Sequence, residues 1–260
     1  MILGLVLGFF WWNKNKSDLS NTSTDPSLNN VKNSGKLIIG VDFSYGVMEL
    51  FDANGQPAGV DIDLGREVAS RLGVQAEFKE FDWDNLLPII ENKEVDLVIS
   101  SITITEDRAK TMLFSSPYFN GGQVILTKIG NDTINSINDL KNQKIGVQID
   151  TTSQEAAQKI TSSTLITTYK TWENSKEKND IIYDLKSDKL DAIIVDYIQG
   201  VDSTKNDSEI KIVGEPFTQE YYGIATNLSN NSLIQAVNEA LRSIKNGGTL
   251  KKIQDKWTKS

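Results

Sequence analysis

Short β-rich runs and helical patterns alternate along the chain from Lys36 onward, and this alternation limits the fold more than any other feature. The β-rich runs are LIIGV at 37–41, VDLVIS at 95–100, VILT at 124–127, IGVQI at 145–149, AIIV at 192–195 and YGIAT at 222–226. Between them apolar residues recur at helical spacing, as in the long pattern from Ser232 to Gly247. Strands that alternate with helices predict an α/β fold with largely parallel sheets.

One helix–turn–strand plan occurs twice, as LPIIENKEVDLVISS at 87–101 and as IIYDLKSDKLDAIIVD at 181–196. In open α/β sheets, ligands bind beyond the carboxyl ends of the strands. Polar residues follow both strands at that point: Ser100, Ser101 and Thr103 after the first, and Asp196 after the second. We therefore expect two lobes whose polar groups face one another across a cleft.

The composition excludes several kinds of chemistry. The chain has no Cys and no His, which excludes disulfides, thiolate nucleophiles, Ser-His-Asp catalysis and most transition-metal sites. The net charge is −8, from 27 basic and 35 acidic residues. This balance disfavours nucleic acid or an anionic membrane surface as the main partner. An enzyme built on this chain would have to use carboxylates, Lys, Tyr or a cofactor.

The N-terminal segment is apolar and is followed by a polar stretch. Residues 1–12 read MILGLVLGFFWW, which is shorter than the roughly 20 residues that cross a bilayer. We interpret them as a signal-peptide remnant or an uncleaved anchor; a buried first helix or strand is the alternative. Residues 13–35 are dominated by Asn, Ser and Thr, and we predict a flexible tether there. This order suggests a domain held near a membrane, although Lys14 and Lys16 argue mildly against an outer location for the rest of the chain.

A series of motifs then carries a family resemblance. They are GVDFSYGVMEL at 40–50, GVDIDLGREVASRLG at 59–73, WDNLLPII at 83–90, VDLVISSITITEDRAKTMLFSSPYF at 95–119, DLKNQKIGVQIDTTS at 139–153, LDAIIVD at 190–196, VGEPF at 213–217 and GTLKKIQDKW at 248–257. In this order they resemble the type II solute-binding proteins of amino-acid ABC importers, family 3. The resemblance covers roughly 36–258, and its ITITEDR…FSSPY segment is highly specific.

The resemblance implies a two-lobed type II periplasmic-binding-protein fold. Each lobe is a mostly parallel sheet flanked by helices, and two crossovers form the hinge. The bounds expected are 36–119 and 219–260 for the first lobe, and 120–218 for the second lobe with the hinge segments.

The resemblance also implies two residues that hold the charges of a free amino acid. Arg108 would take the α-carboxylate, since a guanidinium holds a carboxylate with two parallel hydrogen bonds. Its alternative role is a surface ion pair with Glu106 or Asp107. Asp196 would take the α-ammonium, and its alternative role is an N-cap for the helix that comes after it.

Further site residues are implied by the same resemblance. Ser100, Ser101 and Thr103 in the first lobe, and Thr151 and Thr152 in the second, would meet the ligand with hydroxyl or N–H groups; Thr152 has helix capping as its alternative. The remaining ones are Tyr45 and Trp83, which would sandwich the ligand side chain or pack in the core; Asp42, which would bind its distal group or support a turn; and Gln148, at a position that varies with the ligand.

The chain departs from the family pattern at two points near the pocket. The sequence Tyr45-Gly46-Val47-Met48 replaces an aromatic-Pro-Pro-Phe motif, and Asp150 stands where Gly is frequent. Both departures concern the identity of the ligand side chain rather than the zwitterion contacts.

The predicted function is an extracytoplasmic, membrane-tethered, monomeric receptor that closes on a basic amino acid and delivers it to the permease of an ABC importer. No catalytic residue, metal or cofactor is expected, and no nucleic acid partner. The alternatives are a glutamine receptor of the same class, a cyclohexadienyl dehydratase-like enzyme, and a sensor domain that acts through a separate kinase.

Overall fold

The computed structural model describes residues 25–172 and 180–259, so the apolar segment 1–12 and the first part of the predicted tether lie outside the described residues. The strands are β1 (Lys36–Val41), β2 (Leu50–Phe51), β3 (Pro57–Ala58), β4 (Gln75–Glu80), β5 (Leu97–Val98), β6 (Met112–Phe114), β7 (Phe119–Asn120), β8 (Gln123–Lys128), β9 (Ile145–Gln148), β10 (Ile166–Tyr169), β11 (Ala192–Asp196), β12 (Ile210–Val213), β13 (Tyr221–Tyr222) and β14 (Ala225–Asn227). The helices are α1 (Ser27–Ser34), α2 (Val60–Leu72), α3 (Trp83–Glu91), α4 (Thr152–Ile160), α5 (Ile181–Lys186), α6 (Tyr197–Asn206), α7 (Asn231–Asn246) and α8 (Thr249–Thr258).

Two five-stranded sheets share one plan. The first is ordered β4-β1-β5-β14-β6 and the second β10-β9-β11-β8-β12. In the first, β1 runs parallel to β4 and β5, and only β14 is reversed. In the second, β9 runs parallel to β10 and β11, and only β8 is reversed. The predicted α/β class with two lobes and mostly parallel sheets is confirmed.

The crossovers between the sheets form a small ribbon of their own. Strand β7 leaves the first sheet, β13 returns toward it, and the two pair antiparallel through Asn120 with Tyr221 and Phe119 with Tyr222. We propose that this ribbon is the hinge and that the lobe boundaries lie at its ends. The first lobe is accordingly the part of the chain built on the first sheet, and the second lobe is the part built on the second.

Amphipathic helices cover the first sheet. The buried positions of α7 are Leu233, Ile234, Val237, Ala240, Leu241 and Ile244, the spacing expected of one helical face. Helix α2 begins after Gly59, whose φ is +123°. A Cβ at this position would lie 2.2 Å from the carbonyl oxygen of Met48. Only glycine therefore allows the chain to enter α2 this close to the backbone of Met48.

The predicted tether over 13–35 is wrong for its last part, because residues 27–34 form helix α1. Its Val31 is buried in the core of the first lobe, and Leu28 packs against the same core. The Oδ2 atom of Asp25 accepts from the N–H of Ser232, in the first turn of α7, at 2.5 Å. Two apolar residues in a polar stretch are a weak helix signal, and only contact with α7 makes this helix stable.

Among the described residues, no helix combines the length and the apolar character needed to cross a membrane.

We expect Asp25→Ala to lower the free energy of unfolding by about 0.5–2 kcal/mol. Asp25 accepts from the N–H groups of both Ser27 and Ser232, so it caps the starts of α1 and α7 together. Urea unfolding followed by circular dichroism measures the change. Asp132→Ala is the control, because this exposed carboxylate makes no side-chain bond within the described ranges. Equal effects of the two substitutions would contradict the capping role.

Candidate ligand-binding site

A cleft lies between the two lobes, and its lining residues surround about 480 Å³ of space that includes open solvent. All eleven residues predicted from the sequence line it: Asp42, Tyr45, Trp83, Ser100, Ser101, Thr103, Arg108, Gln148, Thr151, Thr152 and Asp196. Residues that the sequence did not point to complete the lining: Ser153, Trp172, Ile194 and Val195. The structure thus brings the predicted residues together, while the ligand atom that each would touch stays a prediction.

Arg108 reaches across the cleft from the first lobe. Its Nη1 donates to the carbonyl of Thr103 at 3.0 Å, and its Nη2 donates to the carbonyl of Asp150, in the second lobe, at 3.1 Å. Its guanidinium carbon lies 5.7 Å from the ring centroid of Trp83. These two hydrogen bonds use two of five donors, so the side chain retains donors for a carboxylate.

Arg108 is a partly buried cation. Burial is the main effect and lowers its pKa, against the acidic groups nearby, of which Glu155 and Asp196 contribute most. Within the described residues, no carboxylate comes within 4.0 Å of the guanidinium. The surface-pair alternative is wrong, because Asp107 pairs with Lys110 instead.

Asp196 ends β11 and lies on the second-lobe side of the cavity. Its Oδ1 accepts from Gln123 Nε2 at 2.5 Å and its Oδ2 accepts from the Tyr222 hydroxyl. Burial raises the pKa of Asp196 to about 6, against the lowering effect of these bonds and one from Tyr45. Asp196 stands at the N-cap position of α6, yet its side chain makes no capping bond. The capping alternative is therefore wrong, and the carboxylate is available to the cavity.

Asp42 lines the cavity and also supports a turn. Its Oδ1 accepts from the N–H of Ser44 at 2.9 Å, and its own N–H donates to Ser100 Oγ at 3.0 Å. Burial raises the pKa of Asp42, and the charges of Asp82 and Glu80 act in the same direction. The turn role foreseen for Asp42 is confirmed and uses one carboxylate oxygen, while its contact with the distal group of a ligand stays a prediction.

The hydroxyl groups at the cavity are arranged differently from the sequence prediction. Thr103 Oγ1 and Thr152 Oγ1 both donate to Glu220 Oε2, at 3.0 and 2.7 Å. Thr151, not Thr152, caps α4: its Oγ1 accepts from the N–H of Gln154 at 3.2 Å and donates to the carbonyl of Gln148 at 2.7 Å. The capping role foreseen for Thr152 is thus wrong.

Ser101 is held by a buried pair of carboxyl groups. Its φ is +50°, and its N–H donates to Asp61 Oδ2 at 2.7 Å. Burial raises the pKa of Glu49 well above its ordinary value and that of Asp61 to about 6, and the nearby charge of Asp61 raises the pKa of Glu49 further. Two buried carboxyl groups that lie this close cannot both carry a negative charge, so they share a proton. The pair fixes the backbone turn that brings Ser101 and Thr103 to the cavity.

The aromatic residues also join the lobes. Trp83 Nε1 donates to the carbonyl of Ile149, in the second lobe, at 3.0 Å. With its amide oriented to satisfy both neighbours, Gln199 of α6 donates to the carbonyl of Tyr45 at 3.3 Å and accepts from the indole N–H of Trp172. Trp172 is only 1% exposed. It adds a third aromatic side chain to the cavity beside the predicted Tyr45 and Trp83.

Glu220, Trp172, Gln123 and Tyr222 are the main residues that sequence reasoning missed. Glu220 falls in the second crossover, where only hinge backbone was expected, and Trp172 comes after a strand without any motif. The one sequence signal for Glu220 was that a charged residue lies in a segment predicted to connect the lobes.

Comparisons with known proteins agree with this geometry. The family profile described as bacterial extracellular solute-binding proteins, family 3, matches residues 37–260. The L-cystine-binding protein TcyJ of Escherichia coli (strain K12) is 32% identical over 232 residues, which cover 88% of this chain and 85% of TcyJ.

Solved structures are similar over nearly the whole described body. An ancestral arginine-binding protein, solved bound to arginine and bound to glutamine, is 37% identical with TM-scores of 0.78 and 0.79. The match covers 86% of this chain and 98% and 97% of those chains. AncCDT-1, an ancestral amino acid-binding protein and precursor of cyclohexadienyl dehydratase, is 33% identical with a TM-score of 0.79, covering 89% of this chain and 99% of its own.

We expect Asp196→Asn to stabilise the ligand-free protein at neutral pH while removing amino-acid binding. Because the folded-state pKa of about 6 lies above the ordinary 3.8, Asp196 contributes stability that is full below pH 4 and is lost as the pH rises through 6. Asn carries no charge, so the gain is about 1–3 kcal/mol at pH 7.5 and vanishes below pH 4.

Urea unfolding of both proteins from pH 3.5 to 8 measures this difference. The other buried acids, Asp42, Asp61 and Glu49, titrate in both proteins and cancel in the comparison. A variant that is less stable than the wild type at pH 7.5 would contradict the argument.

Proposed function

The chain belongs to the bacterial extracellular solute-binding proteins of family 3, and we propose that it captures a basic amino acid, arginine or lysine, and delivers it to an ABC importer. The observation that carries this proposal is the charge of the cavity. Its lining holds two carboxylates, Asp42 and Asp196, and one guanidinium, Arg108.

The zwitterion of a free amino acid accounts for two of these charges. Arg108 of the first lobe would hold the α-carboxylate, and Asp196 of the second lobe would hold the α-ammonium. A ligand can make both contacts only when the lobes are closed. Binding then shifts an open–closed equilibrium about the β7–β13 ribbon, and a permease can distinguish the closed form.

The third charge favours a cationic side chain. Once the zwitterion is bound, Asp42 is the remaining carboxylate of the cavity, and a guanidinium or ammonium group would neutralise it. Tyr45 and Trp83 offer flat faces to an aliphatic stem or a cation. An acidic side chain is disfavoured, because Arg108 is the only cationic residue among the described ones that line the cavity.

Glutamine is the alternative ligand, since Asp42 can accept from its amide. The similarity to an ancestral protein solved with both arginine and glutamine supports keeping the two ligands in one test. Cystine belongs in the same test because of the similarity to TcyJ. Its second ammonium suits Asp42, while its second carboxylate has no further cation in the described lining.

An enzyme is the second candidate function, and one observation favours it. Asp196 has a pKa of about 6, so this buried carboxyl can hold a proton for general acid chemistry, and AncCDT-1 is described as a dehydratase precursor. Incubation with prephenate or arogenate decides the question: product formation identifies an enzyme, and reversible binding without product identifies a receptor.

We further propose that the protein acts as a monomer outside the cytoplasmic membrane and is tethered there by residues 1–12. Those residues lie outside the described part of the chain, so cell fractionation with and without them is the appropriate test.

A thermal-shift panel of the twenty amino acids and cystine tests the ligand assignment. The protein is first unfolded and refolded to remove co-purified ligand. We expect arginine and lysine to give the largest rise in Tm. Arg108→Ala should lose binding of every accepted amino acid, at a cost of about 2–5 kcal/mol, because all share the α-carboxylate. Affinity retained within about threefold would remove Arg108 from the site.

We expect Asp42→Asn to weaken arginine and lysine binding by about 1.5–3 kcal/mol, because each loses a charge-assisted hydrogen bond. Glutamine should lose much less, since Asn still accepts from an amide. Calorimetric titration of the three ligands measures the difference.

Asp82→Asn is the matched control for Asp42→Asn. Asp82 is an exposed carboxylate whose charge acts on Asp42, but it does not line the cavity. A parallel loss for all three ligands in Asp42→Asn would show that this residue supports the pocket rather than reading the side chain.

A further inference from the structure

Glu220 lies at the end of the second crossover, immediately before β13, and is partly buried. Its Oε2 accepts from the hydroxyls of Thr103, at 3.0 Å, and Thr152, at 2.7 Å. Its Oε1 accepts from the hydroxyl of Thr218 at 2.9 Å. Thr103 comes after β5 in the first lobe, and Thr152 begins α4 in the second lobe. One carboxylate oxygen therefore holds a hydroxyl from each side of the cleft.

The number of protons limits the hydrogen bonds that these hydroxyls can donate. A threonine hydroxyl has one proton, so both Thr103 and Thr152 spend it on Glu220 and face all other groups as acceptors. Gln123 Nε2 accordingly donates to Thr152 Oγ1 at 3.2 Å. These are the hydroxyls that the sequence analysis assigned to the ligand. In this structure both hydroxyls donate to a carboxylate of the protein itself.

We propose that Glu220 is an internal closing contact, which joins the two lobes through Thr103 and Thr152 before any ligand binds. This proposal concerns regulation of the same site and rests on the proposed function for its biological meaning. Glu220 lies on the crossover next to the hinge ribbon, so it cannot keep both threonines when the lobes move apart. The bridge from Thr103 through Glu220 to Thr152 is therefore a contact of the closed form, and only such differential contacts shift the equilibrium.

Two charge-assisted bonds at the ligand cavity also cross the cleft, from Arg108 to the carbonyl of Asp150 and from Tyr222 to Asp196. The remaining contacts across it are of a weaker kind. Lys170 pairs with Asp84 at 3.1 Å, but the Lys170 side chain is 80% exposed, and exposed pairs contribute little. Trp83 donates to a backbone carbonyl across the cleft at 3.0 Å, which is a neutral hydrogen bond. The Thr152–Glu220 bond is charge-assisted and partly buried, so it is the stronger type.

The absence of Cys from the chain allows a clean measurement. Glu91→Cys on α3 and Thr167→Cys on β10, both exposed, carry spin labels, one in each lobe. Distances are measured by pulsed electron paramagnetic resonance on refolded, ligand-free protein. We expect a closed population in the otherwise wild-type protein. Glu220→Ala should raise the open-to-closed ratio roughly tenfold, as expected for losing a hydrogen bond to a charged group.

Two further variants make the test specific. Thr152→Val removes the same contact from the other lobe without touching Glu220, and it should open the cleft equally. The double variant should open it no further than either single one. Glu215→Gln, which removes one exposed negative charge from the same crossover, should leave the distances unchanged.

The proposal is overturned if Glu220→Ala and Thr152→Val leave the distances unchanged, if their effects add in full, or if the ligand-free wild type shows no closed population. Since no ligand is present, failure of the wild type to bind any amino acid would defeat the proposed function and leave this result intact. Conversely, unchanged distances with normal arginine binding would defeat only the role of Glu220.

Discussion

Two opposite charges, the partly buried guanidinium of Arg108 and the buried carboxylate of Asp196, line one cleft from opposite lobes, and the rest of the structure serves to hold them there. Arg108 donates to backbone carbonyls, and Asp196 accepts from Tyr222 and Gln123. These neutral partners hold each group in place without neutralising its charge. Burial accordingly lowers the pKa of Arg108 and raises that of Asp196. In the proposed function a zwitterion would supply both missing charges at once, and the cost of holding them unpaired in the ligand-free protein would become a gain on binding.

The duplicated sheet plan explains how two such groups come to face one another. In each lobe the parallel strands end at the cleft, and the turns beyond them carry the polar side chains. Asp42 and Ser100 lie beyond β1 and β5, while Gln148 and Asp196 end β9 and β11. The only ribbon that joins the sheets in the described chain is the short β7–β13 pair. Rigid sheets on a narrow ribbon favour rotation of whole lobes over deformation of the site.

The sequence predicted the parts of this design that depend on local order along the chain. Strand–helix alternation predicted the fold class, and the family motifs predicted cavity residues that the structure brings together. What it missed depends on contacts between distant residues. Helix α1 is stable only against α7, and Glu220 meets Thr152 from 68 positions away. The spacing around Thr152 suited a cap equally well at Thr151, because the choice between adjacent hydroxyls depends on which one finds the helix N–H.

The distribution of groups between the lobes also implies an order of recognition. The first lobe alone presents Arg108, Asp42 and the faces of Tyr45 and Trp83, which suffice to hold a carboxylate and a side chain. Asp196 and Gln148 arrive only with the second lobe. A ligand that fits the first lobe but has no α-ammonium would therefore lack the contact with Asp196 that stabilises the closed form. In the proposed function, selection for a free amino acid would then depend on closure itself, since the buried carboxylate of Asp196 is costly to bring near any ligand that cannot pair with it.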